Sequence, residues 1–153
     1  MLGEDGAQTP PDVGFRLFKL DTSNIKKWDS TPINKPTTEQ LELLAQRLND
    51  MVDSVKPDRT NLDMVYEILL KLGNDLNEAV IPMEFDNVKA YAIGADCLFM
   101  ICLDEGMTVE IAEQMAEYTP GIIVFADKCF ADTTALANVD LALRDLGVDI
   151  QII

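Results

Sequence analysis

VKAYAIGADCLFMICLDEGMTVEIAEQMAEYTPGIIVFA, residues 88–126, decides the fold. Within it CLFMICL at 97–103 and GIIVFA at 121–126 are apolar almost throughout, without the alternation of a half-solvated strand. Both read as central strands covered on two faces. Between them Thr108 is placed to cap a helix with Ile111, Ala112, Met115 and Ala116 inward, ended by Pro120-Gly121. Upstream, Val88–Ile93 and Cys97–Leu103 flank Gly94-Ala95-Asp96, which predicts a hairpin. Downstream, Asp132 opens a last helix with Leu136, Val139, Leu143 and Leu146 as its stripe and Gly147 as its stop. VDIQII then closes the run with Val148, Ile150 and Ile152 on one face. Strand, helix, strand, helix, strand calls for right-handed crossovers and helices laid on a sheet.

The predicted fold class is therefore α/β: three layers, with a mostly parallel mixed sheet carrying an antiparallel hairpin strand. Working back toward the start, Ala79–Phe85 is a short apolar run whose Pro82 lacks a ladder donor, so as a strand it belongs at an edge. Two amphipathic helices precede it. Thr60 with Asp63 three residues on, the stripe Leu62, Val65, Leu69 and Leu72, and Gly73 beyond it bound one of them. The other runs from Thr38 to about Val52 with Leu41, Leu44, Ala45, Leu48, Met51 and Val52 as an apolar stripe, most simply core. Earlier still, FRLFKL at 15–20 has weak two-residue periodicity and predicts a short strand. The chain divides into a flexible leader at 1–14, an arm at 15–37, a helical segment at 38–78 and an α/β domain at 79–153. The helical segment either packs on that domain or forms a separate pairing surface.

Charge and composition narrow the function. Over 153 residues, 27 acids stand against 12 Lys and Arg, a net charge of −15 that repels a polyphosphate from most of the surface. With no histidine anywhere, imidazole triads, His-containing zinc sites and the usual neutral-pH base are all missing. Neither GxGxxG nor GxxxxGK[ST] occurs. The first residues lack a basic region and an apolar run, no stretch reaches the roughly 18 apolar residues of a span, and three cysteines are an odd number, so a cytoplasmic protein with reduced thiols and no membrane is expected. Five residues apart on a strand, Cys97 and Cys102 would face opposite ways and share no metal; Cys129, with no base nearby, reads as a small buried residue.

Two places carry contact chemistry. Asp127 follows a buried strand, at the end where α/β folds place ligands, and Asp132 and Asn138 follow it, so these three form a possible ligand edge. Together with Asp104 and Glu105 such carboxylates could hold magnesium, an alternative in which the chain is a free-standing small α/β enzyme. The other place is the window 15–35, whose local balance is +3 and which contains Trp28 beside Lys26 and Lys27. Lysines and an aromatic ring on an irregular segment suit phosphate contact and base stacking, though so few cations would bind DNA weakly.

Four blocks then resemble one family: GFRLFKLDTSNIKKWD at 14–29, DRTNLDMVYEILLKLG at 58–73, VKAYAIGADCLFMICLDEGMTVE at 88–110 and GIIVFADKCFADTTALANVDLAL at 121–143. In this order they are similar to the C-terminal part of the modification subunit of type III restriction-modification systems, the adenine-specific DNA methyltransferases. The resemblance implies a large enzyme that moves a methyl group from S-adenosylmethionine to adenine N6. Its FxGxG and DPPY segments, which serve the cofactor and the flipped base, do not occur in this chain. No catalytic, cofactor-binding or metal residue is therefore expected here, and S-adenosylmethionine belongs to the full-length protein.

The resemblance implies an assembly domain, not catalytic by itself, that pairs with a second modification subunit or docks a restriction subunit, with DNA met only in the full-length context. It also puts the arm at the join with upstream DNA-binding regions, making Lys19, Ser23, Asn24, Lys26, Lys27 and Trp28 candidates for a DNA or interdomain contact. One departure concerns the last helix, where the family has Lys-Thr-Asn and this chain has Leu136-Ala137-Asn138. A site built on Asp127, Asp132 and Asn138 would lack that lysine.

Overall fold

A computed structural model of the chain describes residues 14–27, 29–32, 37–52 and 55–153. Its elements run α1 (Thr38–Val52), α2 (Asn61–Leu72), β1 (Val80–Phe85), β2 (Val88–Ile93), β3 (Phe99–Cys102), α3 (Val109–Ala116), β4 (Ile122–Phe125), α4 (Thr133–Asp145) and β5 (Asp149–Ile152), with a 3-10 turn at Asp127–Cys129. The five strands form one sheet in the order β1-β2-β3-β4-β5. The first two pairings are antiparallel and the last two parallel. The α/β class and the mixed sheet stand as expected, and the antiparallel share is larger by one pairing, because β1 joins β2 through a two-residue turn.

Side-chain alternation explains the unbroken apolar runs. Met100 and Cys102 of β3, with Ile123 and Phe125 of β4, enter a core under α3 and α4 that also holds Ile111, Met115, Val139 and Leu143. Phe99, Ile101 and Leu103, with Val124, enter a second core on the opposite face under Met64, Val65, Ile68 and Leu69 of α2. Each strand thus needs apolar residues at every step. The helix boundaries follow the expected signals. Thr60 and Asp63 form a reciprocal capping box, and Gly73 ends α2 in the left-handed conformation at φ 74°. Thr108 and Asp132 cap α3 and α4 through Ile111 N and Ala135 N.

Three expectations are corrected and one connection is added. FRLFKL forms no strand: residues 15–20 make no ladder, and Phe15, Leu17 and Leu20 are 88%, 87% and 91% exposed, so the run buries no apolar face. The α1 stripe is not core, since Leu41 and Leu48 are each 54% exposed; the side chains of Met51 and Val52 lie outside the described residues. Cys97 is not on a strand but in the β2–β3 turn at φ 50°, donating its N–H to the Gly94 carbonyl. Finally, β1 and β2 are joined by Asp86-Asn87, at φ 47° and 80°, the paired left-handed geometry of a tight hairpin turn, a connection not read from the sequence. The leader at 1–13 lies outside the described residues.

Candidate functional site

The arm is held inward by its polar groups. Ser23 Oγ donates to Glu67 Oε1 of α2 at 2.6 Å, and the Asn24 N–H donates to Glu67 Oε2 at 2.7 Å. Asn24 Nδ2 donates to the Asp63 carbonyl at 2.9 Å, and the Asn24 carbonyl accepts from the Lys56 N–H. Asn24 is the buried polar residue among those described, and these bonds satisfy it. Beside it the Phe18 ring meets Tyr66 edge to face at 5.2 Å. Burial opposes the charge on Glu67, but hydrogen bonds from Ser23, Lys71 and the Asn24 backbone outweigh it and hold the carboxyl below its usual range.

Two of the arm's cations, Arg16 and Lys26, are spent on the same docking. Lys26 Nζ donates to the Asp50 carbonyl of α1 at 3.0 Å, and Arg16 donates to the Glu78 carbonyl at 3.0 Å. Two arginines outside the arm pair with its acids, Arg59 with Asp21 at 3.0 Å and Arg47 with Asp29 at 2.7 Å. Lys19 and Lys27 are exposed and bear no ion pair among the described residues; Trp28 lies outside them. Of the six residues singled out on the arm, Ser23, Asn24 and Lys26 therefore staple it to α1 and α2, and two lysines face solvent.

The carboxyl ends of the parallel strands look different from the sequence expectation. Asp132 is used as the cap of α4, Asp127 is exposed at the start of the 3-10 turn, and Asn138 stands well along α4. Asn138 lines a shallow groove of ≈ 310 Å³ between α3 and α4 with Glu113, Leu141, Ala142, Asp145 and Leu146, and neither aspartate reaches it. The three residues are not brought to one site. Asp104 accepts from Asn61 Nδ2 at 2.9 Å and from the Lys89 N–H at 3.2 Å. Among the described residues no group of three or more Cys, Asp or Glu side chains is placed to share a metal, so the metal-enzyme alternative has no assembled donor set there.

Under the β4 end the structure pairs two thiols that sequence spacing did not connect. Cys102 and Cys129 are buried with their sulfurs 4.0 Å apart, and Cys129 Sγ donates to the Cys102 carbonyl at 3.3 Å. The contact with Cys129 and burial away from water push the Cys102 thiol above its usual range.

A second groove, ≈ 300 Å³, runs between α4 and the outer strand β5 and is lined chiefly by Leu136, Ala137, Asp140, Arg144, Ile150 and Ile152. Its floor is apolar and its one arginine is neutralised by Asp140 at 2.9 Å. The signal for it was present as Ile150 and Ile152 at strand spacing beside the α4 stripe, but only the sheet order makes β5 an edge.

No helix among the described residues is long and apolar enough to cross a membrane. Comparison with protein-family models, with curated proteins and with solved structures finds no match to this chain.

Proposed function

We propose that the chain is an assembly domain from the C-terminal part of a type III adenine-specific DNA methyltransferase, pairing modification subunits or docking a restriction subunit, and that it does not methylate by itself. The observation that carries this reading is the set of four ordered sequence blocks, 14–29, 58–73, 88–110 and 121–143, without FxGxG or DPPY segments. The geometry is compatible with protein partners in three respects. The surface is acidic, Ser23 and Asn24 of the arm are bonded to α2, and apolar side chains on α1 and α4 stand in solvent: Leu41 and Leu48 at 54%, Leu141 at 64% and Leu146 at 56%. A DNA-contact role for the arm has less to work with, since among the described residues two exposed lysines neutralise at most two phosphates.

Binding to a type III restriction subunit, followed by size-exclusion light scattering at micromolar concentration, tests the proposal. A complex, or a stable pair of chains, is the expected result. A monomer that captures no restriction subunit overturns it.

A further inference from the structure

The two outer strands of the sheet present unlike edges. The Gly94 N–H donates to the Ala79 carbonyl, so in the antiparallel β1–β2 ladder residues 79, 81, 83 and 85 bond inward and 80, 82 and 84 turn their backbone groups outward. Pro82 falls on the outward set. Its missing N–H and the charge of Glu84 beside it blunt this edge. On the other side, the Asp149 N–H donates to the Gly121 carbonyl and the Ile153 N–H to the Phe125 carbonyl, so residues 149, 151 and 153 bond to β4. Ile150 and Ile152 hold their N–H and C=O groups outward, and no residue among those described covers them. No proline, lysine or bulge guards this edge.

The uncovered edge also adjoins an apolar recess. Ile150 and Ile152 point to the α4 side and form, with Leu136 and Ala137, the groove described above. An added strand places alternate side chains into it and the intervening ones on the opposite face, beside Asp149 and Gln151. On that opposite face Asp149 is exposed beside Gln151 with no β5 cation to offset it, and the net charge of −15 acts on any strand that approaches. This rim favours a basic strand. It disfavours a second copy, which would bring a like edge and a like charge of −15 against it.

We infer that the outer edge of β5 takes up an extended segment of a partner protein as a sixth strand, with apolar residues at alternate positions in the α4–β5 groove and basic residues between them. This deepens the assembly reading and rests on it for the identity of the partner.

The probe is a terminally blocked Lys-Val-Lys-Val-Lys-Val peptide, with Glu-Val-Glu-Val-Glu-Val as its matched control, followed by fluorescence anisotropy and amide exchange on the full chain. The basic peptide is expected to bind and to protect the Ile150 and Ile152 amides, and the acidic one is expected to leave them unprotected. Ile152→Pro removes one outward donor without touching the β4 ladder and should weaken binding roughly tenfold or more, whereas Ile152→Val should keep it. Ala137→Trp, which fills the groove from the helix, gives the same readout should the proline variant not fold. Equal binding by both variants, no binding by the parent, binding that leaves Ile150 and Ile152 unprotected, or protection of these amides by self-association alone overturns the inference. A restriction subunit that binds Ile152→Pro undiminished keeps the assembly reading and sinks the edge; peptide protection without any restriction-subunit binding does the reverse.

Discussion

Glu67 concentrates the arm's attachment in one carboxylate, 12% exposed, that accepts from Ser23, from the Asn24 backbone and from Lys71. Glu67→Gln replaces one acceptor oxygen with a donor facing another donor, and should cost about 1 kcal/mol of stability, a figure kept small by solvent screening. The separation of the Phe18 and Tyr66 rings, read by NMR ring-current shifts, should be lost in the same variant. Acid should do likewise. Glu67 and Asp63 both have folded-state values depressed below their ordinary 4.5 and 3.8, so their contribution is complete above those values and disappears as pH falls through the lower folded ones. A pH titration whose arm signals stay constant down to the unfolding transition would refute this. Thr60→Ala removes the capping hydroxyl of α2 and should lower stability by about 1 kcal/mol in urea denaturation. At this scale the sequence was half informative. The cap at Thr60 and Asp63 is a local pattern four residues long and could be read directly. The partners of Ser23 and Asn24 lie 39 to 44 positions away in the chain, at Asp63 and Glu67, and a polar residue does not announce which way it will turn. The Cys102–Cys129 contact was hidden for the same reason.

Elements with strong local grammar were legible: α2, α3 and α4 by their caps, β3 and β4 by unbroken apolar runs; of the expected stripes Leu62, Leu72 and Leu146 are exposed, and α2 buries Met64 and Ile68 beside Val65 and Leu69 instead. Pro82 placed β1 at an edge correctly. Residues 15–20 misled, because Phe15, Leu17 and Phe18 resemble a strand locally while a strand needs a neighbour to bond to. In α1 the periodicity was real, yet its stripe found no core, since amphipathicity states that a face is apolar and not what covers it. For α2 the covering is the sheet itself. Leu69 is 0% exposed and shares its core with Ile93, Ile101 and Val124, so Leu69→Ala should cost about 2–5 kcal/mol and loosen helix and sheet together. Circular dichroism in the far and near ultraviolet should then report one transition. Two separated transitions would mean that the helical segment and the α/β domain fold independently.

For the whole molecule, a charge of −15 is the dominant long-range term. Raising ionic strength from about 0.01 M to about 0.15 M shortens the Debye length from roughly 30 Å to 8 Å and should raise the melting temperature by relieving self-repulsion. A melting temperature that falls with salt would show that the ion pairs at Asp21, Asp29 and Asp140 outweigh that repulsion. Composition and motif absence excluded chemistries but selected none, because the surfaces that matter are assembled from distant segments: the arm with α2, and α4 with β5. The unlike edges of the sheet bear finally on solubility. Endless growth by stacking sheets side by side needs each copy to offer two compatible edges, one to receive and one to extend. Pro82 breaks that chain of additions at every copy. Growth through the native sheet edges is thereby held to pairs joined at β5.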